Sequence, residues 1–246
     1  MTQDDFAELT ARQIQILKAI IEEYMDTAEP VGSETLDKKH NLGVSPATIR
    51  NEMVHLTNLK MLTQPHTSSG RAPTPSAIRY YVEHLMKTKD LSVTEEVAVK
   101  EQIWDYRQKM DKLLREATRT LAEKTQTLAI TTTNDGDIYY AGAANILSMP
   151  EFYDYELTHY LLGTLDKFDF WWNMISRGEL PFDILMGDSF IDQPILSRCS
   201  VVYSKFSTPH ISGAIGVIGP SRLNYPTIIP AVRFMGGLVD EFARNW

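Results

Sequence analysis

The sequence predicts an α+β chain: a small helical N-terminal domain, a long connecting helix, and a C-terminal sheet domain. Three observations carry this expectation. Capped helices with apolar residues at helical spacing fill the first third. An apolar 4-3 rhythm occupies the middle, and short β-rich runs mixed with helices follow. At 246 residues the chain is long enough for more than one core.

Residues 10–25 read as an amphipathic helix, because Ile14, Leu17, Ile21 and Tyr24 share one face and Thr10 with Gln13 forms a capping box. Glu29-Pro-Val-Gly32 ends it. Ser33 is expected to cap a short second helix over 34–40, which the turn Asn41-Leu-Gly43 breaks. Ser45 caps a third helix reaching about residue 60, with Pro46 at the first helical position, where its missing N–H costs nothing. Residues 62–65 and 72–74 pair as short strands around His66-Thr-Ser-Ser-Gly-Arg71. A helix over 75–86 completes a domain spanning 1–89.

Residues 90–126 read as one mostly helical stretch, opened by a second capping box, Ser92 with Glu95. Val99, Ile103, Tyr106, Met110, Leu113 and Ala117 follow the spacing of a coiled-coil seam. Two readings stay open: the seam pairs two copies of the chain, or it packs on its own sheet domain. Residues 127–246 form that domain. Runs 128–133 and 138–141 are strands joined by the turn Asn134-Asp-Gly-Asp137. Residues 152–165 read as helix, 184–186, 199–206 and 212–218 as strands, and 227–244 as a final helix.

Composition narrows the function classes. Hydrophobic residues make up 43% and charged residues 23%, the balance of a soluble globular chain. With Cys199 as the single cysteine there is no intrachain disulfide and no thiolate metal site. The acidic N-terminus does not resemble a secretory signal and no apolar run approaches membrane-spanning length, so a cytoplasmic location is expected. His66, His159 and His210 lack neighbours at metal-ligand spacing. No nucleophile elbow, phosphate loop or zinc-protease helix occurs, and the glycines of 213–219 lack dinucleotide-binding spacing. The aromatic cluster of Phe168, Phe170, Trp171 and Trp172 reads first as core, with Asp166 and Asp169 solvated beside it. Neither an enzyme nor a cofactor is expected.

The net charge of −8 would argue against a nucleic-acid partner if it were evenly spread. It is not. Residues 38–82 contain Lys38, Lys39, Arg50, Lys60, Arg71 and Arg79 against Glu52 alone. On the third helix, Ile49, Met53 and Leu56 must face inward. That leaves Ala47, Thr48, Arg50, Asn51, Val54 and His55 outward. This is the small, polar character of a helix read into a major groove, where Asn suits adenine, Arg suits guanine and a methyl meets thymine. Ser45 and Thr48 hydroxyls suit phosphate oxygens, as do Ser33, Thr35 and Lys38 on the second helix. His66, Thr67, Ser68, Ser69 and Arg71 form a polar hairpin loop suited to the DNA backbone or minor groove. In this order the elements make a winged helix-turn-helix, with double-stranded DNA as the partner.

Glu29-Pro-Val-Gly-Ser-Glu-Thr-Leu36, Leu42-Gly-Val-Ser-Pro-Ala-Thr-Ile-Arg-Asn-Glu-Met53, Gln64-Pro-His-Thr-Ser-Ser-Gly-Arg-Ala-Pro-Thr74 and Arg79-Tyr-Tyr-Val82 resemble the winged-helix signature of the HrcA heat-inducible repressors. Weaker likenesses follow in Leu113-Leu-Arg-Glu-Ala117, Tyr140-Ala-Gly-Ala-Ala-Asn-Ile-Leu147, Pro150-Glu-Phe152 and Gly216-Val-Ile-Gly-Pro-Ser-Arg-Leu-Asn-Tyr225. The resemblance implies a repressor of chaperone operons bound to an inverted-repeat operator, a GAF-like C-terminal domain, and modulation by the GroE chaperonin. It also implies a longer chain with an inserted dimerisation subdomain, where this sequence has only the turn 134–137. An inverted repeat still requires a homodimer, for which the 99–117 seam is the candidate. A metabolite-responsive regulator with the same DNA-binding domain is the alternative.

Overall fold

The computed structural model describes residues 9–40, 42–107, 109–176, 178–208 and 211–244, so Asn41 and His210 lie outside the described residues. The chain divides into two compact units, Met1–Met86 and Lys87–Trp246.

The first unit contains α1 (Ala11–Thr27), α2 (Ser33–Lys39), α3 (Pro46–Asn58), strands β1 (Leu62–Thr63) and β2 (Ala72–Pro73), and α4 (Pro75–Tyr80), which continues as a wide π-turn over Tyr81–Leu85. The Thr10–Gln13 box is formed reciprocally and satisfies two of the orphan N–H groups at the start of α1. Ile16, Leu17, Ile20 and Ile21 of α1 pack with Leu36 of α2, Ile49, Met53 and Leu56 of α3, and Ala77 and Tyr81. Each fully buried aliphatic side chain stabilises by roughly 1.5–3 kcal/mol. β1 and β2 pair antiparallel, Leu62 with Pro73 and Thr63 with Ala72.

One residue extends that small sheet. Val31 and Arg71 exchange both backbone hydrogen bonds, at 2.8 and 2.9 Å. This corrects the expected start of α2. Tied at Val31, the chain is still extended at Gly32 (φ −92°, ψ 156°), which takes the N-cap position without a side-chain bond. Ser33 is therefore the first helical residue, not the cap, and is only 6% exposed.

In the second unit the expected continuous helix is two helices, α5 (Val93–Trp104) and α6 (Met110–Thr125), separated by a turn. Val99, Ile103, Leu113 and Ala117 are buried within the chain, while Tyr106 lies in the turn and is exposed. The folded-back pair lets both helices bury their apolar faces within the same unit, so the rhythm does not require a second chain. Trp104 meets Phe242 edge-on at 5.5 Å, Lys100 reaches Glu241 at 2.8 Å, and Lys124 bonds Glu95.

The sheet is antiparallel in the order β4-β3-β7-β6-β5, built from β3 (Leu128–Thr133), β4 (Ile138–Ala141), β5 (Phe182–Met186), β6 (Cys199–Ser207) and β7 (Ser212–Pro220). Alternation along the strands gives it two buried faces. Leu128, Ile130, Val201, Tyr203 and Ile218 pack with Leu157, Leu161, Trp171 and Ile175 from α7 (Tyr155–Leu162) and α8 (Phe168–Ser176). The other face receives α6 and α9 (Tyr225–Ala243). There the Thr118 and Thr131 hydroxyls bond at 2.7 Å, and Gly236 lets α9 approach Ser204. Of the aromatic cluster of 168–172, Trp171 belongs to the core, Phe170 packs against it, and Phe168 and Trp172 are half-buried. Trp171 is fully buried with its indole N–H donated to the Thr164 carbonyl at 2.9 Å.

The weaker sequence motifs of this unit are structural joints. Gly142, at φ +76°, turns the chain where a Cβ would lie 2.4 Å from the Thr127 carbonyl oxygen, and Asn145 donates to that same oxygen at 3.0 Å. Arg222 grips Glu151 through two hydrogen bonds, of 2.6 and 3.1 Å, with both side chains largely buried. That fork joins the segment before α7 to the segment before α9.

Three outcomes are expected. Glu151→Ala removes the forked partner and lowers unfolding free energy by about 2–3 kcal/mol, somewhat less than a fully buried pair because both side chains keep some exposure. Urea denaturation measures it, and a loss under about 0.5 kcal/mol would demote the pair to a surface contact. Gly70→Ala places a Cβ 2.4 Å from the Val31 carbonyl carbon and oxygen. It should cost about 1–3 kcal/mol in the same assay, whereas an unchanged midpoint would mean that the loop does not rest on Val31. Burial pushes the Cys199 thiol up to about 12. At pH 8 the native protein should therefore resist a thiol reagent that labels it once unfolded; rapid native labelling would contradict the burial.

Candidate nucleic-acid interface

α3 is built to present one face. Ser45 caps it by accepting from the Thr48 N–H at 3.2 Å, and the two hydroxyls bond each other at 3.0 Å. Pro46 occupies the first turn. With Ile49 and Leu56 fully buried and Met53 nearly so, the outward face carries Ala47, Arg50, Asn51, Val54 and His55, all exposed, with Thr48 half-buried at its edge. Val54, an apolar side chain on this face, is 43% exposed.

The loop between β1 and β2 is held rigidly. Gln64 donates from its amide to the carbonyls of Thr67 and Ser69 at 2.9 and 3.1 Å. The Ser69 hydroxyl accepts from the His66 N–H at 3.0 Å and donates to the His66 carbonyl at 2.7 Å. Its hydroxyl is therefore engaged inside the loop rather than offered outward. Gly70 does not supply flexibility, as its place in a hairpin loop suggests. It permits the contact with the backbone of Pro30 and Val31. His66, Thr67 and Ser68 remain exposed at the tip.

Arg71 departs furthest from expectation. It lies at the root of the loop, half-buried, with Nε donated to the Thr57 hydroxyl at 3.1 Å. Thr57 in turn donates to the Met53 carbonyl at 2.7 Å. Thr57 and Gln64 are the residues that sequence reasoning missed. Gln64 is only the first residue of the 64–74 motif and Thr57 lies in none; each works through a partner fixed only by the fold.

Between the start of α2, α3 and the loop lies a cleft of about 490 Å³. Of the expected contact residues, Ser33, Thr35, Arg50, Thr67, Ser68, Ser69 and Arg71 line it. Ser45, Ala47, Thr48, Asn51 and His55 are not on its wall but on or beside the exposed face of α3. Lys38 is exposed in the last turn of α2, also off the cleft wall. Lys39 is turned to Glu23 on α1, which also lies 3.6 Å from His40. The Lys39 ammonium, with His40 beside it, holds the Glu23 carboxyl below its usual range despite burial. One charge of the basic stripe is thus used internally, while Lys38, Arg50 and Lys60 stay exposed.

Among the described residues no group of three or more His, Cys, Asp or Glu is arranged to hold a metal, and no helix is long and apolar enough to cross a membrane.

Comparison with known proteins gives a consistent result. A family model described as the winged helix-turn-helix transcription repressor HrcA, DNA-binding, matches residues 8–86, and one described as the HrcA protein C-terminal domain matches residues 48–229. The heat-inducible transcription repressor HrcA of Pelotomaculum thermopropionicum is 27% identical over 331 aligned positions, covering 93% of this chain and 95% of that protein. The alignment is longer than the 246 residues of this chain, so the relative carries segments that this chain lacks. The HrcA protein of Symbiobacterium thermophilum is 47% identical over 119 residues, which span 48% of this chain and 35% of that relative. A crystallised protein described only as hypothetical shares the fold, with a TM-score of 0.77 at 18% identity over 97% of this chain and 99% of its own. The matched models, one of them spanning most of the chain, establish that this protein belongs to the HrcA family of winged helix-turn-helix transcription repressors.

Proposed function

We propose that this chain is a cytoplasmic, non-enzymatic repressor of heat-shock chaperone operons that binds an inverted-repeat operator as a symmetric homodimer. The observation that carries the reading is the outward face of α3, with Arg50, Asn51 and His55 exposed beside a loop whose internal hydrogen bonds fix its shape. The exposed Asn51 amide suits base edges in a major groove, while Arg50 and the polar loop suit the flanking backbone. Two copies are required because an inverted repeat presents the same half-site twice, about one helical turn apart. The GroE chaperonin is the proposed modulator, on the family's account; adding purified chaperonin to an operator-binding assay tests it.

A second reading, in which the C-terminal unit also takes a small metabolite, is favoured by one feature. A cavity of about 450 Å³ has apolar lining from Phe170, Met174, Leu185 and Phe190 and polar lining from Asp169, Asn173, Ser189, Asp192 and Gln193. A concave site that mixes aromatic and apolar side chains with convergent polar groups suits a small ligand. A thermal-shift screen separates the readings, since a ligand of the native state raises its melting temperature by mass action.

Selection of duplexes from a random pool by the full-length chain should return an inverted repeat. On that operator, Asn51→Ala is expected to weaken binding by about 1–3 kcal/mol and to relax preference at one base pair per half-site. Fluorescence anisotropy on matched and mismatched duplexes reads this out. Unchanged affinity and unchanged preference would remove α3 from the groove.

A further inference from the structure

The cleft between α2, α3 and the loop deepens the DNA-reading assignment above, on which this inference rests. Arg50 and Arg71 both line it, with the Thr35, Thr67 and Ser68 hydroxyls and a single carboxylate, Glu34. Two guanidiniums against one carboxylate leave one positive charge, which matches the charge of one phosphodiester.

Arg71 is held at both ends. Its backbone is paired in both directions with Val31, and its Nε is donated to Thr57, which is itself bonded to the Met53 carbonyl. The Nη1 and Nη2 groups find no hydrogen-bond partner among the described residues. An arginine with Nε committed and both terminal nitrogens available presents the planar fork that binds phosphate oxygens in pairs. Because its side chain is already ordered, little freedom is lost when an anion arrives. A wing-tip arginine, free to rotate in solvent, has neither property.

We propose that Arg50 and Arg71 seat one backbone phosphate of the operator inside this cleft, with Thr57 as the positioning residue that holds Arg71 in the seating geometry. The seat reads position along the duplex, not base identity, and fixes how far the loop reaches when α3 lies in its groove.

The test uses the full-length chain and the selected operator, with each phosphate of one half-site replaced in turn by an uncharged methylphosphonate. One position should weaken wild-type binding roughly tenfold, as expected for loss of a charge-assisted contact. Arg71→Ala should lose nothing further there, and Thr57→Val should show a reduced effect at that position that Thr57→Ser restores. Asn51→Ala should keep the full effect. If the Arg71→Ala and methylphosphonate losses multiply at every position, or if Thr57→Val behaves as wild type, the seat is wrong. Inorganic phosphate should compete somewhat better than chloride at equal ionic strength, and that excess should vanish in Arg71→Ala; an excess unchanged by the substitution would place the phosphate elsewhere and overturn the proposal. The underlying reading fails separately, if Asn51→Ala and Arg71→Ala both bind the unmodified operator with wild-type affinity.

Discussion

The backbone pairing of Val31 with Arg71 is the contact on which the first unit depends. It brings the connection between α1 and α2 against the root of the loop and extends a sheet that otherwise has two residues per strand. Sheets this small are not stable by themselves; they persist when packed against helices. Gly70 makes the approach sterically possible, and Val31 is buried where it occurs. From this one contact follow the start of α2 at Ser33, the inward position of Arg71, and its reach to Thr57 on α3. Loop and α3 are thereby parts of one construction rather than neighbours.

The second unit solves a different problem. Its sheet has two faces to cover, and it does so with α7 and α8 on one and α6 and α9 on the other. The cost of a sheet buried on both sides is that connecting segments must be anchored where they leave it. Arg222 with Glu151, and Asn145 with the Thr127 carbonyl, provide those anchors. Charged and amide groups at such joints have few alternatives. A partly buried guanidinium needs a carboxylate, and at Gly142 the positive φ comes with no room for a Cβ beside the Thr127 carbonyl.

Charge is distributed on the same logic. A chain with a net charge of −8 still keeps a locally basic stretch, because residues 38–82 hold six Lys or Arg against Glu52 alone. Within the basic stripe the residues differ in use. Lys39 is committed to Glu23 and Arg71 to Thr57 through Nε, while Lys38, Arg50 and Lys60 face solvent.

Much of this was legible in the sequence. The capping boxes at Thr10 and Ser92, the Ser45-Pro46 helix start, the inward triad of Ile49, Met53 and Leu56, and the hairpin at 134–137 are local signals, set by neighbours within four residues. Local chemistry therefore determined where α1, α3 and α5 begin and which face of α3 is free, but not α8 or the break between α5 and α6. Tertiary structure decided what those elements do to one another. The 4-3 rhythm of 99–117 could not say whether its partner was another chain or the same one, because periodicity records that a face is apolar and not what covers it. Likewise no spacing rule joins Arg71 to Thr57, Gln64 to the loop carbonyls or Arg222 to Glu151. These pairs are separated by different distances along the chain and are adjacent only once it has folded.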